Sequence, residues 1–141
     1  MSDKDIDKAN YMQDIVLAET QVMVDTQHSL HAGVYTRTVM IPKGIIIVGA
    51  LVKRSTNLII SGHISVTLGD DEERVYKGYA ILHAGPNRKQ AFIAHEDTHL
   101  TMSFATDAET IEDAEDEFTD EAHLLMSRHV DGINHITITG E

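Results

Sequence analysis

The sequence has no cysteine and no tryptophan, only two prolines, and few basic residues, with 11 lysines and arginines against 23 aspartates and glutamates. Without cysteine there can be no disulfide, thiolate zinc site or cysteine nucleophile, so any metal would have to bind histidine, aspartate or glutamate. The formal charge of −12 repels nucleic-acid phosphates. The only adjacent basic pairs, Lys53-Arg54 and Arg88-Lys89, are typical of solvated turns, so we expect no nucleic-acid partner.

Long apolar runs are also missing. The run Ile45-Ile46-Ile47-Val48 is far too short to span a bilayer, and the polar N-terminus leads into no signal-peptide core. We therefore expect no membrane partner and a cytoplasmic location. With 141 residues, 42% of them hydrophobic, the chain is long enough to fold around one core without covalent staples.

Residues 1–9 are predicted to be a mobile leader, and residues 10–33 a short helix followed by a loop. The helix is indicated by apolar residues at steps of three and four, namely Tyr11, Ile15, Ala18 and Val22. Residues 28–33 are short and polar, and we expect them to be irregular.

Residues 34–105 are rich in β-branched residues, and turn-forming residues divide them into short pieces. Strands are predicted over residues 35–41, 45–52, 57–60, 63–68, 73–76, 79–83, 90–95 and 99–105. Many short strands joined by tight turns predict an antiparallel sandwich or barrel. The fold class is therefore mainly β.

Residues 106–141 are predicted to form an acidic helix and a short C-terminal strand. One face of the helix is apolar, and its residues are Ala108, Ile111, Ala114, Phe118, Ala122 and Leu125. Thr106 and Glu109 have the spacing of a capping box. The opposite face is acidic and is predicted to be solvated, with docking to a basic partner as the alternative. Alternation over residues 133–139 indicates the strand.

Several short motifs follow one another within residues 33–98. They are Gly33-Val34-Tyr35-Thr36-Arg37, Ile41-Pro42-Lys43-Gly44, Ser61-Gly62-His63-Ile64-Ser65-Val66, Gly78-Tyr79, Ala84-Gly85-Pro86 and Ala94-His95-Glu96-Asp97-Thr98. In order and spacing they resemble the cupin superfamily, in particular the short single-domain cupin-like proteins of bacteriophages. The resemblance covers about half of the chain and implies a small antiparallel cupin-like jelly roll.

The sequence departs from the metal-binding cupins where those carry their ligands. They have a His-x-His pair and an acid in the first motif, and another histidine after the proline of the second, a set that suits iron, manganese or nickel. Here residues 52–57 contain no histidine or acid, and residues 87–91 contain no histidine. The resemblance therefore implies a cupin shell without the usual metal site.

Nine histidines keep a divalent metal open as an alternative, although we expect no cofactor. The candidate ligands are His28, His31, His95 and His99, which could converge at one mouth of the barrel with His83 or Asp97. The alternative is that they are polar residues on loops and outward strand faces.

A pocket for a small anionic ligand is the second candidate site. Its residues would be Tyr35, Arg37, His83 and Arg88, of which the first two alternate along one predicted strand. Tyr35 and Arg37 could equally form a structural hydrogen-bond network.

The sequence supports three hypotheses for function. The leading one is a non-enzymatic, phage-type cupin-like protein that acts by assembly or binding, either a virion structural component or an accessory factor. Its partners would be copies of itself and a phage or host protein, and its location the virion or the host cytoplasm. The alternatives are a metal-dependent cupin enzyme with a relocated histidine cluster and a barrel that binds a small anion.

Overall fold

The computed structural model describes residues 3–7, 9–10, 24–68, 72–128 and 132–139. Residues 3–7 and 9–10 are helical, so helical structure occurs within the predicted leader, whose mobility stays a prediction. The helix predicted from Tyr11 to Val22 lies outside the described residues. No helix of the described ranges is long and apolar enough to cross a membrane.

The protein is built around one curled sheet. Its eight strands are β1 (Thr26–His31), β2 (Val34–Ile41), β3 (Ile46–Val48), β4 (Thr56–Leu68), β5 (Glu72–Ala84), β6 (Ala91–Ala94), β7 (Thr98–Ala105) and β8 (Asn134–Ile138). The order is β3-β6-β4-β7-β2-β1-β8, with β5 on the other side of β4. All pairs are antiparallel except β1 with β8. The prediction of a mainly β, jelly-roll fold is confirmed.

Strand β4 turns a corner of the sheet at Gly62. On one edge, residues 57–61 pair with β7 and residues 64–66 pair with β6, so the partner changes across the glycine. Gly62 lies opposite Gly78 of β5, and both have positive φ, at 146° and 90°. The predicted division of β4 into residues 57–60 and 63–68, and of β5 into residues 73–76 and 79–83, was wrong. The paired glycines bend the β4–β5 ladder without ending it.

The outer strands differ from their predictions in length. β1 occupies part of the segment predicted to be irregular, and its inward residues are Thr26, His28 and Leu30. Two of these are polar, which hides the alternation of a strand. The strands predicted over residues 45–52 and 90–95 shorten to β3 and β6. Beyond them the pairing continues through single backbone hydrogen bonds, such as that from Gly49 N–H to the Gln90 oxygen at 2.9 Å, and through the isolated bridge between Val52 and Arg88.

The concave face of the sheet holds two apolar clusters. One lies between β4, β6 and the end of β2, and its buried residues are Ile41, Ile60, Ile64, Val66, Phe92 and Ala94. The other joins the sheet to the C-terminal helix, and its buried residues are Leu30, Tyr35, Leu58, Met102, Phe104, Ile111, Ala114 and Phe118. The C-terminal segment therefore completes the core at one end of the half-barrel.

The C-terminal helix α1 (Ile111–Phe118) is shorter than predicted and differently capped. Thr110, not Thr106, is its N-cap, and its hydroxyl accepts from the backbone N–H of Asp113 at 3.2 Å. Thr106 instead donates to Glu117 at 2.7 Å. After the helix ends, two 3-10 helices, Ala122–Leu124 and Met126–Arg128, lead toward β8. The predicted terminal strand is confirmed as β8.

Replacing Gly62 with alanine tests the corner. A Cβ there would lie 2.5 Å from the hydroxyl oxygen of Thr98 and 2.8 Å from the carbonyl oxygen of Asp97, at a φ that L-residues rarely adopt. We expect Gly62→Ala to lower the free energy of unfolding by about 2–4 kcal/mol in urea titrations. The control is Gly85→Ala, whose Cβ would meet nothing within 4 Å. Equal free energies of unfolding for the two variants would contradict the requirement for glycine at the corner.

Candidate functional site

A buried carboxylate holds the C-terminal segment against the sheet. Glu115 of α1 is only 2% exposed, and one of its oxygens, Oε2, accepts from Arg37 Nη1 of β2 at 2.9 Å. The other oxygen accepts from Arg128 Nε at 3.1 Å. Ser127 donates its hydroxyl to Oε2 at 2.6 Å. Two guanidinium groups and one hydroxyl therefore compensate the buried charge.

A hydrogen-bond relay extends from Arg37 across β1 to β8. Arg37 Nη1 lies 3.4 Å from the Tyr35 hydroxyl, which lies 2.8 Å from His28 Nδ1. His28 Nε2 lies 2.7 Å from Asn134 Oδ1, and the Asn134 amide donates to the backbone oxygen of Ser127 at 2.8 Å. The three distances from Tyr35 to Ser127 have ordinary hydrogen-bond lengths, and the bond from Arg37 is long.

The relay favours one protonation state of His28. Because the amide nitrogen of Asn134 donates to Ser127, its Oδ1 is the acceptor for His28 Nε2–H, which leaves Nδ1 to accept from Tyr35. A neutral ring satisfies this arrangement. Burial also lowers the pKa of His28 below its usual 6.5, against the raising effect of the Asn134 hydrogen bond.

Aromatic rings surround the network. Tyr35 is fully buried, and burial raises the pKa of its hydroxyl. Its ring stacks on Phe118 of α1 at 6.4 Å and meets the edge of Phe104 at 5.5 Å. The guanidinium of Arg37 lies 5.8 Å from the centre of the Phe118 ring. Apolar packing and charge therefore fix α1 to the same patch of the sheet.

The structure does not bring the four residues of the predicted anion pocket together in one pocket. Tyr35 and Arg37 belong to the internal network, where Glu115 is the anion beside Arg37. Arg88 is buried and donates to backbone oxygens of Arg54 and Gly85. Burial lowers the pKa of Arg88 to about 10. A role of these residues toward an external ligand stays a prediction.

His83 is exposed and lines a different feature, an open cleft of about 370 Å³. The cleft is also lined by Arg54, Asn57 and Ser103. The Arg54 guanidinium lies 4.3 Å from the centre of the Phe104 ring and 3.4 Å from Glu117. Its Nε is buried without a hydrogen-bond partner in the described part of the chain. The guanidinium that lines the cleft is therefore held against Phe104 and Glu117, with its Nε buried.

The predicted metal ligands occupy separate settings. His28 points into the core, while His31, three residues on along β1, is exposed and lies 2.7 Å from the Thr139 hydroxyl. His95, in the turn between β6 and β7, is 2.6 Å from the Ser65 hydroxyl. His99 is exposed on β7. Among the described residues, no group of three or more histidines and acids could hold a metal ion.

The sequence interpretation missed Glu115 because it assigned the acidic face of the helix to solvent. A signal was available: residues 111, 114, 115 and 118 have the spacing of one helical face, and all four are buried. An acid inside an apolar stripe predicts a buried cation partner. The identity of that partner, Arg37, could not be read from the helix.

The solved structures that are similar to this architecture include proteins described as cupins. Ectoine synthase from P. lautus superposes with a TM-score of 0.50 at 12% identity, over 62% of this chain and 67% of that one. A cupin superfamily protein from Desulfitobacterium hafniense gives 0.48 at 13% identity, covering 63% and 83%. An RmlC-like cupin from Methanocaldococcus jannaschii gives 0.47 at 20% identity, covering 62% and 83%.

The fold is a mainly β, cupin-like jelly roll. No protein-family model matches the sequence, and no curated protein matches it. At these identities the likeness concerns the fold alone. None of the three structures is described as a phage protein, so the phage origin stays a prediction.

The relay predicts a pH dependence of stability. Since the folded pKa of His28 lies below the unfolded value of about 6.5, the unfolded chain takes up a proton first as the pH falls. The unfolding free energy of the wild type should therefore decline between pH 7 and 5, and His28 contributes at most about 1.4 kcal/mol per pH unit to this decline. His28→Gln should show a shallower decline. His31→Gln, on the same strand, is the control. A decline in His28→Gln as steep as in the wild type would contradict the neutral relay.

Proposed function

We propose that this cupin-fold protein acts by binding or assembly and not by metal-dependent catalysis. The observation that carries the proposal is the closure of the half-barrel by its own C-terminal segment. Glu115 reaches Arg37 on the concave face, and α1 packs over Tyr35. A carboxylate of the chain itself thus pairs with Arg37, which the sequence had suggested for an external anion.

The donor chemistry of the two cupin motif regions supports the same proposal. These regions meet at the antiparallel bridge between Val52 and Arg88. They contribute Arg54, Arg88 and Lys89, whose guanidinium and ammonium groups donate hydrogen bonds and have no lone pair for a metal. All three groups have partners within the chain. The Lys89 ammonium lies 3.0 Å from Glu121, Arg54 pairs with Glu117, and Arg88 donates to backbone oxygens. These residues do not fit the metal that the metal-binding cupins hold at these motifs.

Two narrower statements remain part of the proposal. The first is that the protein is a virion component or an accessory factor of a phage, which rests on the motif resemblance alone. The second is that its partners include copies of itself. A minimal barrel does not need the two terminal segments, and such added segments are suited to contacts between subunits. The enzyme with a relocated histidine cluster gains no support from the separate settings of His28, His95 and His99.

The cleft beside Arg54 favours a second candidate function, binding of a small anion such as phosphate or a carboxylate. The Arg54 guanidinium, His83 and Asn57 line this cleft and are suitable donors. Glu117 competes for the same guanidinium at 3.4 Å. The candidate therefore ranks second.

Metal loading tests the leading proposal. After expression in medium supplemented with iron, manganese, nickel and zinc, we expect elemental analysis to find no stoichiometric metal, and thermal melting to be unmoved by these metals. One metal ion per chain would contradict the proposal.

The second candidate makes the opposite expectation for anions. A saturable rise in melting temperature with phosphate or citrate, lost in Arg54→Gln and kept in Lys53→Gln, would favour anion binding over the leading proposal. Lys53 is a suitable control because it is the neighbouring cation and its ammonium contacts Asp120 instead, at 2.6 Å.

A further inference from the structure

Strand β5 is a long edge of the sheet with an apolar outer face. It has 13 residues, the same as its partner β4, and its other edge has no partner strand among the described residues. On its outward face Val75, Tyr79 and Ile81 are 56%, 68% and 57% exposed. Unpaired edges of this length are normally shortened, covered or charged, because they offer free N–H and C=O groups to another strand.

The sequence of β5 is complementary to itself about Gly78. If two copies pair antiparallel with a two-fold axis at that glycine, residues equally distant from it lie opposite each other. Val75 then faces Ile81 of the other copy, and both are apolar. Lys77 faces Tyr79, an ammonium beside an aromatic ring.

The polar residues near the ends of the strand are also complementary in this register. Glu73 would face His83 of the other copy, so a carboxylate meets an imidazole that can donate to it. All six of these residues lie on one face of β5, since they are separated by even numbers of positions. No like charges oppose each other in this register.

The bend of the sheet is compatible with the same axis. β5 bends at Gly78, where it lies opposite Gly62 of β4. A two-fold axis normal to the sheet at the bend superposes the bend of one copy on that of the other, so the ladder can continue through both subunits. The other free edges are shorter, with three residues in β3 and five in β8.

We propose that two copies of this chain form a symmetric dimer through antiparallel pairing of their β5 strands, centred on Gly78. The proposal names the surface for the assembly part of the proposed function and rests on it. Its test measures mass and cross-linking, whereas metal and anion loading tests the proposed function, so either can fail without the other.

Sedimentation velocity over a concentration series is the first experiment. The wild type should sediment with twice the 15.6 kDa mass of the chain. Ile81→Glu should raise the dissociation constant by roughly 30-fold or more, because each copy would bury a carboxylate against Val75 of the other. The control is Ile136→Glu, on edge strand β8, where the isoleucine is 54% exposed, nearly the same as Ile81.

Disulfide cross-linking tests the register and does not depend on the folding of Ile81→Glu. The chain has no cysteine, so Val75→Cys combined with Ile81→Cys introduces the only thiols. The two positions are too far apart along one strand to form a bond within a chain. On oxidation the double variant should form a covalent dimer, and each single variant should remain a monomer on a non-reducing gel.

A wild type that stays monomeric would overturn the proposal. Lys77 and the bend at Gly78 would then serve to prevent the edge from pairing with another strand. A dimer that dissociates in Ile136→Glu but not in Ile81→Glu would overturn it in favour of β8. Cross-linking of the single variants as efficient as that of the double variant would overturn the register.

Discussion

The ion pair between Glu115 and Arg37 is the contact on which the closure of this half-barrel depends. A carboxylate that is 2% exposed would be strongly destabilising without a partner, and here it is met by Arg37, Arg128 and the hydroxyl of Ser127. These partners come from β2 and from the segment after α1. One charge therefore ties the helix both to the sheet and to the chain that follows it.

The same network explains how the C-terminal strand reaches its place. His28 of β1 joins Tyr35 to Asn134 of β8, and Asn134 bonds back to Ser127. β8 adds to β1 in parallel, and α1 with the two 3-10 helices forms the connection that leads from β7 to β8. The segment that closes the barrel and the strand that extends the sheet are thus one unit, which leaves β5 as the long free edge for association.

Much of the fold could be predicted from local patterns, since the turns and the alternation of β2, β4 and β7 indicate a mainly β jelly roll. The continuity of β4 through Gly62 could not, because a glycine that ends a strand and one that bends it look the same in sequence. The site was less predictable. Arg37 was recognised as functional or structural, but its partner Glu115 is 78 residues away. Long-range pairing of charges leaves no local periodic signal.

A double-mutant cycle between Arg37 and Glu115 tests the account most directly. The free energies of unfolding of the wild type, Arg37→Gln, Glu115→Gln and the double variant would be measured in urea at pH 7. If the buried pair holds the C-terminal segment on the sheet, the coupling energy should be about 2 kcal/mol or more. A coupling energy below about 0.5 kcal/mol, the value of an exposed surface pair, would contradict the account.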